Sequence, residues 1–575
     1  MSYSAAIEKP VRHFLPENFT ISDWQSLEPY FNNLLQRELI SVEALEAWLK
    51  DSSELEAVIS EDACWRQIRM TCDTTDKELE NAFVFFVTEI QPKIQPIADL
   101  LNRKFIECPF TASLNKEKYF TYIRSIKKSI ELFREENIPL QSELSVLGQQ
   151  FGAISGKMTI EVNGKEYTLQ QAAKFLEQED RGLRESVYRK INERRLEDKQ
   201  ALDDLFSTLV QKRHQVALNA GFENYRDYKF KELGRFDYTK ESCFEFHRAV
   251  KEEVLPLVKL IYQRKQKSLK LEKLRPWDLE AQPSGVQPLK PFTTGAELLS
   301  KTVQCFEKLN PFFADCLRTM DKMKRFDLES RIGKAPGGYN CPLAETGAPF
   351  IFMNAAGQMS DVTTMVHEGG HAIHSFLAHP LELSAFKEYP MEIAEVASMA
   401  MELFSMDHWE VFFENAEDLK RAKEHQLERV ITIFPWIATI DKFQHWIYEN
   451  PQHSLDARKV KWLEILNEFS TDVIDFEGLT KYREYGWQRQ LHLFEVPFYY
   501  IEYGIAQLGA IGLWKRYKEN KQAALEGYIA SLSKGGTLTL PELYSTAGIE
   551  FNFSPAHIKQ LMQFVKNEMD SLLNN

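Results

Sequence analysis

The sequence predicts a mainly α-helical protein with a little sheet, and three observations carry that reading. Apolar residues recur with helical period through most of the chain. The clearest hairpin signal is "KMTIEVNGKEYTL", where Asn163–Gly164 sits between alternating apolar positions and favours the tight turn that joins antiparallel strands. Turn-rich segments break the helical pattern at residues 274 to 295 and again at 333 to 357.

Taken in order, residues 20 to 150 read as several shorter helices, and the hairpin follows. Residues 181 to 221 form one long charged amphipathic pattern that ends at Gly221, a helix stop. The stretch "LRPWDLEAQPSGVQPLKPFTTG" reads as a long ordered loop or a boundary. A further helical stretch leads to "GKAPGGYNCPLAETGAPFIFMNAAG", whose apolar run "FIFMN" reads as a strand. From Asp361 to Ala378 the apolar residues Val362, Met365, Val366, Ile373, Phe376 and Leu377 make one helical stripe, with Ser360 or Asp361 able to cap its start. "YPMEIAEVASMAMELF" is a second helix-like segment. The expected organisation is an N-terminal helical region (1–110), a helical region with the hairpin (111–320) and a region carrying the chemistry (321–575).

Composition narrows the function. With apolar residues at 44% and charged residues at 27%, the chain is an ordinary globular one, and 575 residues bury a sizeable core. A net charge of -14 argues against nucleic acid or an anionic membrane as partner, since both attract basic surfaces. The seven cysteines are scattered, odd in number and without a CxxC pair, which fits reduced thiols. "MSYSAAIEKPVRHFLPENF" has no apolar signal core and no stretch approaches the ~20 apolar residues of a membrane span, so a cytoplasmic location is expected.

"HEGGH" within the helix of residues 361–378 carries the chemistry. His367 and His371, four apart, project from one helix face and can bind one metal ion together. HExxH on a helix is the zinc metallopeptidase signature, with the intervening Glu368 placed to take a proton from metal-activated water. A catalytic zinc needs a third protein ligand. The metzincin pattern would put glycine at 374 and histidine at 377; the chain has His374 and Leu377. On spacing alone, Glu392, Glu395 and Glu402 all qualify, and His374 is a rival more readily read as a polar residue on the cavity wall. Gly369 and Gly370 each cost a helix about 1 kcal/mol relative to alanine. They are explained if neighbouring backbone or substrate packs closely against that turn.

HEGGH followed by E-x-x-S resembles the thimet oligopeptidase and oligoendopeptidase F family of zinc peptidases. The resemblance spans roughly residues 140 to 570 and implies several things. "EVAS" makes Glu395 the third ligand of one zinc ion per chain, and Glu402 a partner that orients a ligand histidine. "QLHLFEVPFYYIEYGIAQLGAIGLW" is similar to a segment whose histidine and tyrosines donate hydrogen bonds to the developing oxyanion. His492 carries over directly; Tyr499, Tyr500 and Tyr503 compete for the second role, with Tyr503 favoured and then Tyr500. "GGYNC…APFIFMNAAG", with Gly338 and Tyr339, resembles the strand and glycine-rich loop at the cleft, where a peptide can add to an open strand edge. Gly535 and Gly536 lie in what looks like the family's last loop and either approach substrate or make a turn. The family fold is a large two-lobed helical body with a deep central channel, which the residues of 111–320 would help line, and a small sheet near the active site. Short unstructured peptides are its implied substrates, cut internally by a monomer or simple homo-oligomer. Two alternatives stay open: a zinc carboxypeptidase or dipeptidyl carboxypeptidase of related architecture, and a non-catalytic peptide-binding protein.

Overall fold

The computed structural model describes residues 4–7 and 10–574. Residues 1–3, 8 and 9 of the N-terminal segment read above for a signal core lie outside the described residues. Among the described residues no helix is long and apolar enough to cross a membrane. Among the described residues the chain is mainly helical with two small sheets, as the periodicity predicts.

Strands β1 (Thr159–Val162) and β2 (Lys165–Thr168) form the expected hairpin. Asn163 and Gly164 both take positive φ, 54° and 76°, which the tight two-residue turn requires. The long pattern of residues 181–221 is two helices, Arg181–Glu197 and Lys199–Asn219. They are broken at Asp198, whose ψ of 7° leaves the helical range while its carboxylate pairs with Arg194 at 2.5 Å. The proline-rich stretch after residue 274 is an ordered loop anchored by Asp278, which is fully buried and bonded by both Arg181 and Arg184.

The second sheet has the order β3–β5–β4: β3 (Phe326–Glu329) runs parallel to β5 (Phe350–Ala355), and β4 (Tyr339–Cys341) antiparallel to it. "FIFMN" is therefore the central strand, paired on both sides, and β3 and β4 are the edge strands, with Tyr339 of β4 opposite Phe352. Buried Lys334 ties the loop between β3 and β4 to the sheet through Asp327 Oδ1 (2.8 Å) and the Glu329 carbonyl (3.1 Å).

The HEGGH helix (Met359–Ala378) starts directly after β5 and begins earlier than the sequence predicts, with Gln358 at its N-cap. Asp361 caps it from inside: its Oδ2 accepts from the backbone N–H of Ala356, Gly357 and Gln358, each at 2.8 Å. The EVAS helix (Met391–Ser405) packs across it, and both glycines lie at tight packing contacts. A Cβ at Gly370 would stand 2.5 Å from the Ala397 carbonyl oxygen, and one at Gly369 would stand 2.8 Å from the Phe306 ring. Neighbouring structure, and at Gly370 neighbouring backbone, is what these glycines admit. Gly535 and Gly536 likewise pack on the backbone of Phe386 and Glu388.

Two further helices complete the frame, Ala416–Glu449 and the tyrosine helix Tyr500–Glu519, which packs on the EVAS helix. One extensive core joins these elements. A second core gathers the N-terminal helices around Leu27, Trp48 and Phe105, and Leu383 and Phe386 of the HEGGH–EVAS connection are buried in it.

Candidate active site

The two crossed helices bring three donors of the HEGGH and EVAS segments to one point. His367, His371 and Glu395 each offer an atom within 4.8 Å of the others. Glu395 Oε2 stands 3.3 Å from His367 Nε2 and 3.6 Å from His371 Nε2. Ligands bonded at about 2.0–2.2 Å in a tetrahedron are roughly 3.3–3.6 Å apart, so the trio fits a zinc-sized ion in spacing as well as in chemistry.

Supporting contacts aim His367 and Glu395. His367 Nδ1 bonds Glu402 Oε1 at 2.8 Å, which leaves Nε2 facing Glu395. Glu402 is fixed in turn by Gln426, whose Nε2 donates to its Oε2 at 2.8 Å; Thr363 donates to Gln426 Oε1 at 3.1 Å. Ser398 donates to Glu395 Oε2 at 3.0 Å, and Tyr499 donates to Glu395 Oε1 at 2.5 Å.

Burial opposes a charged His367, yet its bonds to Glu395 and Glu402 outweigh burial and raise it well above the usual imidazole range. Burial pushes His371 down to about 4. Burial also opposes ionisation of Glu395, but the two histidines bring it down to about 2. Burial raises Glu368 to about 7, and its Oε2 has no hydrogen-bond partner although it is enclosed. Glu368 Oε1 would lie 3.7 Å from a Cβ added at Gly338, so the loop before β4 passes directly over the carboxylate.

The segment of residues 490–503 supplies hydrogen-bond donors. His492 Nε2 and the Tyr503 hydroxyl are 3.1 Å apart. The imidazole tautomer follows from its neighbours. The Trp436 indole can only donate, and it meets Gln490 Oε1 at 2.9 Å; Gln490 Nε2 therefore donates to His492 Nδ1 at 2.7 Å, and the proton of neutral His492 sits on Nε2. Burial holds His492 neutral, down to about 4. Tyr499 and Tyr503 line a cavity of about 830 Å³ that also touches Gly338, Tyr339, Arg489 and His492. Tyr500 is not among its lining residues; its ring packs edge-on against His492 and Tyr503. Tyr339 stacks on Phe352 and shares a 2.6 Å hydrogen bond with Thr71 at the end of helix Val42–Cys72.

The other sequence candidates are elsewhere. Glu392 accepts from the Tyr238 hydroxyl at 2.6 Å. His374 is fully buried and stacked on Tyr389 at 3.5 Å, so it belongs to the core and not to the cavity wall. Sequence reasoning missed Gln426, Ser398, Gln490 and Trp436. Of these only Ser398, inside "EVAS", has a local pattern to mark it.

The family model for Peptidase family M3 matches residues 174–563, and that for the Peptidase M3 N-terminal domain matches residues 14–133. An oligoendopeptidase F homolog of Borreliella burgdorferi is 21% identical, over 92% of this chain and 90% of its own length. Oligopeptidase PepF of Bacillus subtilis is 22% identical, over 71% of this chain and 60% of its own. The structure of Pz peptidase A with an inhibitor superposes at a TM-score of 0.91, with 25% identity and 98% of both chains covered. With the greater part of its length matched by the family model, the chain belongs to peptidase family M3.

Proposed function

We propose that the protein is a zinc-dependent oligoendopeptidase that hydrolyses internal bonds of short unstructured peptides. The observation that carries this is the trio His367, His371 and Glu395 at tetrahedral-edge spacing, with the unpartnered carboxylate oxygen of Glu368 beside it. His367, His371 and Glu395 would hold one zinc ion. Zinc, when bound in such a site, supplies Lewis-acid activation of water and of the scissile carbonyl. Glu368 takes a proton from the attacking water and hands it to the leaving amine nitrogen. His492 Nε2–H and the Tyr503 hydroxyl donate to the carbonyl oxygen as negative charge grows there; a donor of this kind is worth roughly 3–4 kcal/mol. Tyr499, bonded to Glu395, acts on the ligand and not on the substrate. The edge strand β4, next to Gly338, is where an extended peptide would add main-chain hydrogen bonds.

A cavity of about 830 Å³ suits a segment of a few residues and excludes a folded domain. The test is mass spectrometry of peptides of graded length and one small folded protein, incubated with wild type and with Glu368→Gln. Internal cuts confined to the short peptides and absent from the variant are expected. Stepwise trimming from the C-terminus would replace this reading with a carboxypeptidase, and binding without cleavage by zinc-loaded wild type would replace it with a peptide-binding protein.

A further inference from the structure

A second group of side chains able to bind a metal is enclosed away from the HEGGH helix, and we propose that Cys243, Asp441 and His445 form a buried three-ligand site for a divalent transition-metal ion. The three offer Sγ, carboxylate oxygen and imidazole nitrogen within 4.8 Å of one another, and all are at most 2% exposed. They come from two packed helices. Lys240–Ala249 carries Cys243 and, one turn on, His247; Ala416–Glu449 carries Asp441 and, one turn on, His445.

The surroundings lack what a metal would supply. His445 Nδ1 and Asp441 Oδ1 have no hydrogen-bond partner, while His445 Nε2 is paired with Asp441 Oδ2. Buried polar atoms are almost always satisfied, and two orphans in one cluster mark a missing partner. His445 Nε2 lies 3.3 Å from Asp441 Oδ2, close to the edge of a zinc tetrahedron. His247 Nε2 bonds Asp441 Oδ2 at 2.8 Å, orienting the carboxylate as outer partners of metal ligands do. Aromatic rings wall the cluster: Phe244, Phe498 and Phe230 stand 4.9, 5.5 and 5.7 Å from the His445 ring. On binding, the Cys243 thiol releases its proton to solvent. Thiolate and carboxylate then neutralise a dication, and mixed sulfur, nitrogen and oxygen donors favour zinc over calcium or magnesium. The ion would clamp the two helices beneath Phe498, whose N–H donates to Gln444 at 2.6 Å immediately before the Tyr499–Tyr503 segment.

The test uses the full-length protein refolded with excess zinc or cobalt and then desalted. Elemental analysis should find about two metal equivalents per chain in wild type and about one in His371→Ala, which disables only the HEGGH trio. The cobalt form of His371→Ala should keep a near-ultraviolet thiolate-to-cobalt charge-transfer band, because the HEGGH trio contains no sulfur. Cys243→Ser should abolish that band and lower the count by one. One equivalent in wild type, or no thiolate band in cobalt-loaded wild type, overturns the proposal, and neither of those readings depends on a variant folding. Because the band reports on sulfur alone, it is independent of whether the HEGGH trio makes a peptidase.

Discussion

At the scale of single residues, the division of labour between Glu368 and His492 rests on what each is bonded to. Glu368 has an enclosed oxygen free to take a proton, so Glu368→Gln should lower kcat by about 10²–10⁴-fold with metal content unchanged, read by steady-state kinetics beside elemental analysis. His492 is locked as a donor by Gln490 and Trp436. Gln490→Leu should therefore lower kcat with little change in KM, and the loss should be smaller than that of His492→Ala. An equal loss in KM would mean that Gln490 positions substrate. Residue-scale chemistry was the most legible part of the sequence. His367, Glu368 and His371 stand at fixed helical spacing, and "EVAS" singled out Glu395 from three spaced glutamates through resemblance. Gln426 and Gln490 were not legible, because a buried amide that orients a neighbour through the fold leaves no local pattern.

At the scale of elements, the contact between the HEGGH and EVAS helices is set by backbone. Gly370→Ala should cost roughly 1–3 kcal/mol, because its Cβ would meet the Ala397 carbonyl and force the helices apart. Thermal unfolding and metal content should fall together with activity; unchanged metal content would show that the clash is relieved without moving Glu395. Burial also raises Glu495, at the end of the short helix Leu491–Glu495, to about 7. Its folded form therefore holds a proton that the unfolded chain releases near the ordinary glutamate range, and its contribution to stability is lost as pH rises from about 4.5 through about 7. Glu495→Gln should raise Tm at pH 8 relative to wild type and leave it nearly unchanged at pH 4, measured by calorimetry. Strand "FIFMN" and the Asn163–Gly164 hairpin were readable from run length and turn chemistry. That β5 is central between β3 and β4 was not readable, since pairing order depends on contacts between distant segments. The break at Asp198 was hidden because the apolar stripe continues across it.

At the scale of the whole molecule, the N-terminal region was opaque in sequence beyond its helical period, yet it touches the candidate site twice. Thr71 holds Tyr339 on the edge strand beside Gly338, and Leu383 and Phe386 are buried in the N-terminal core. Thr71→Val should lower kcat/KM several-fold for peptides long enough to reach β4 and spare the shortest ones, in a length series of one substrate. A uniform loss across the series would show that the bond supports the fold alone. The burial of Leu383 and Phe386 has a further consequence for how activity arises as the chain is made. The turn joining the two ligand-bearing helices closes onto helices synthesised long before it, and the donors His492 and Tyr503 emerge long after it. A growing chain that has reached Glu395 carries His367, His371 and Glu395 but neither His492 nor Tyr503. On the roles proposed for these residues, cutting power arises only once the chain has been made through Tyr503.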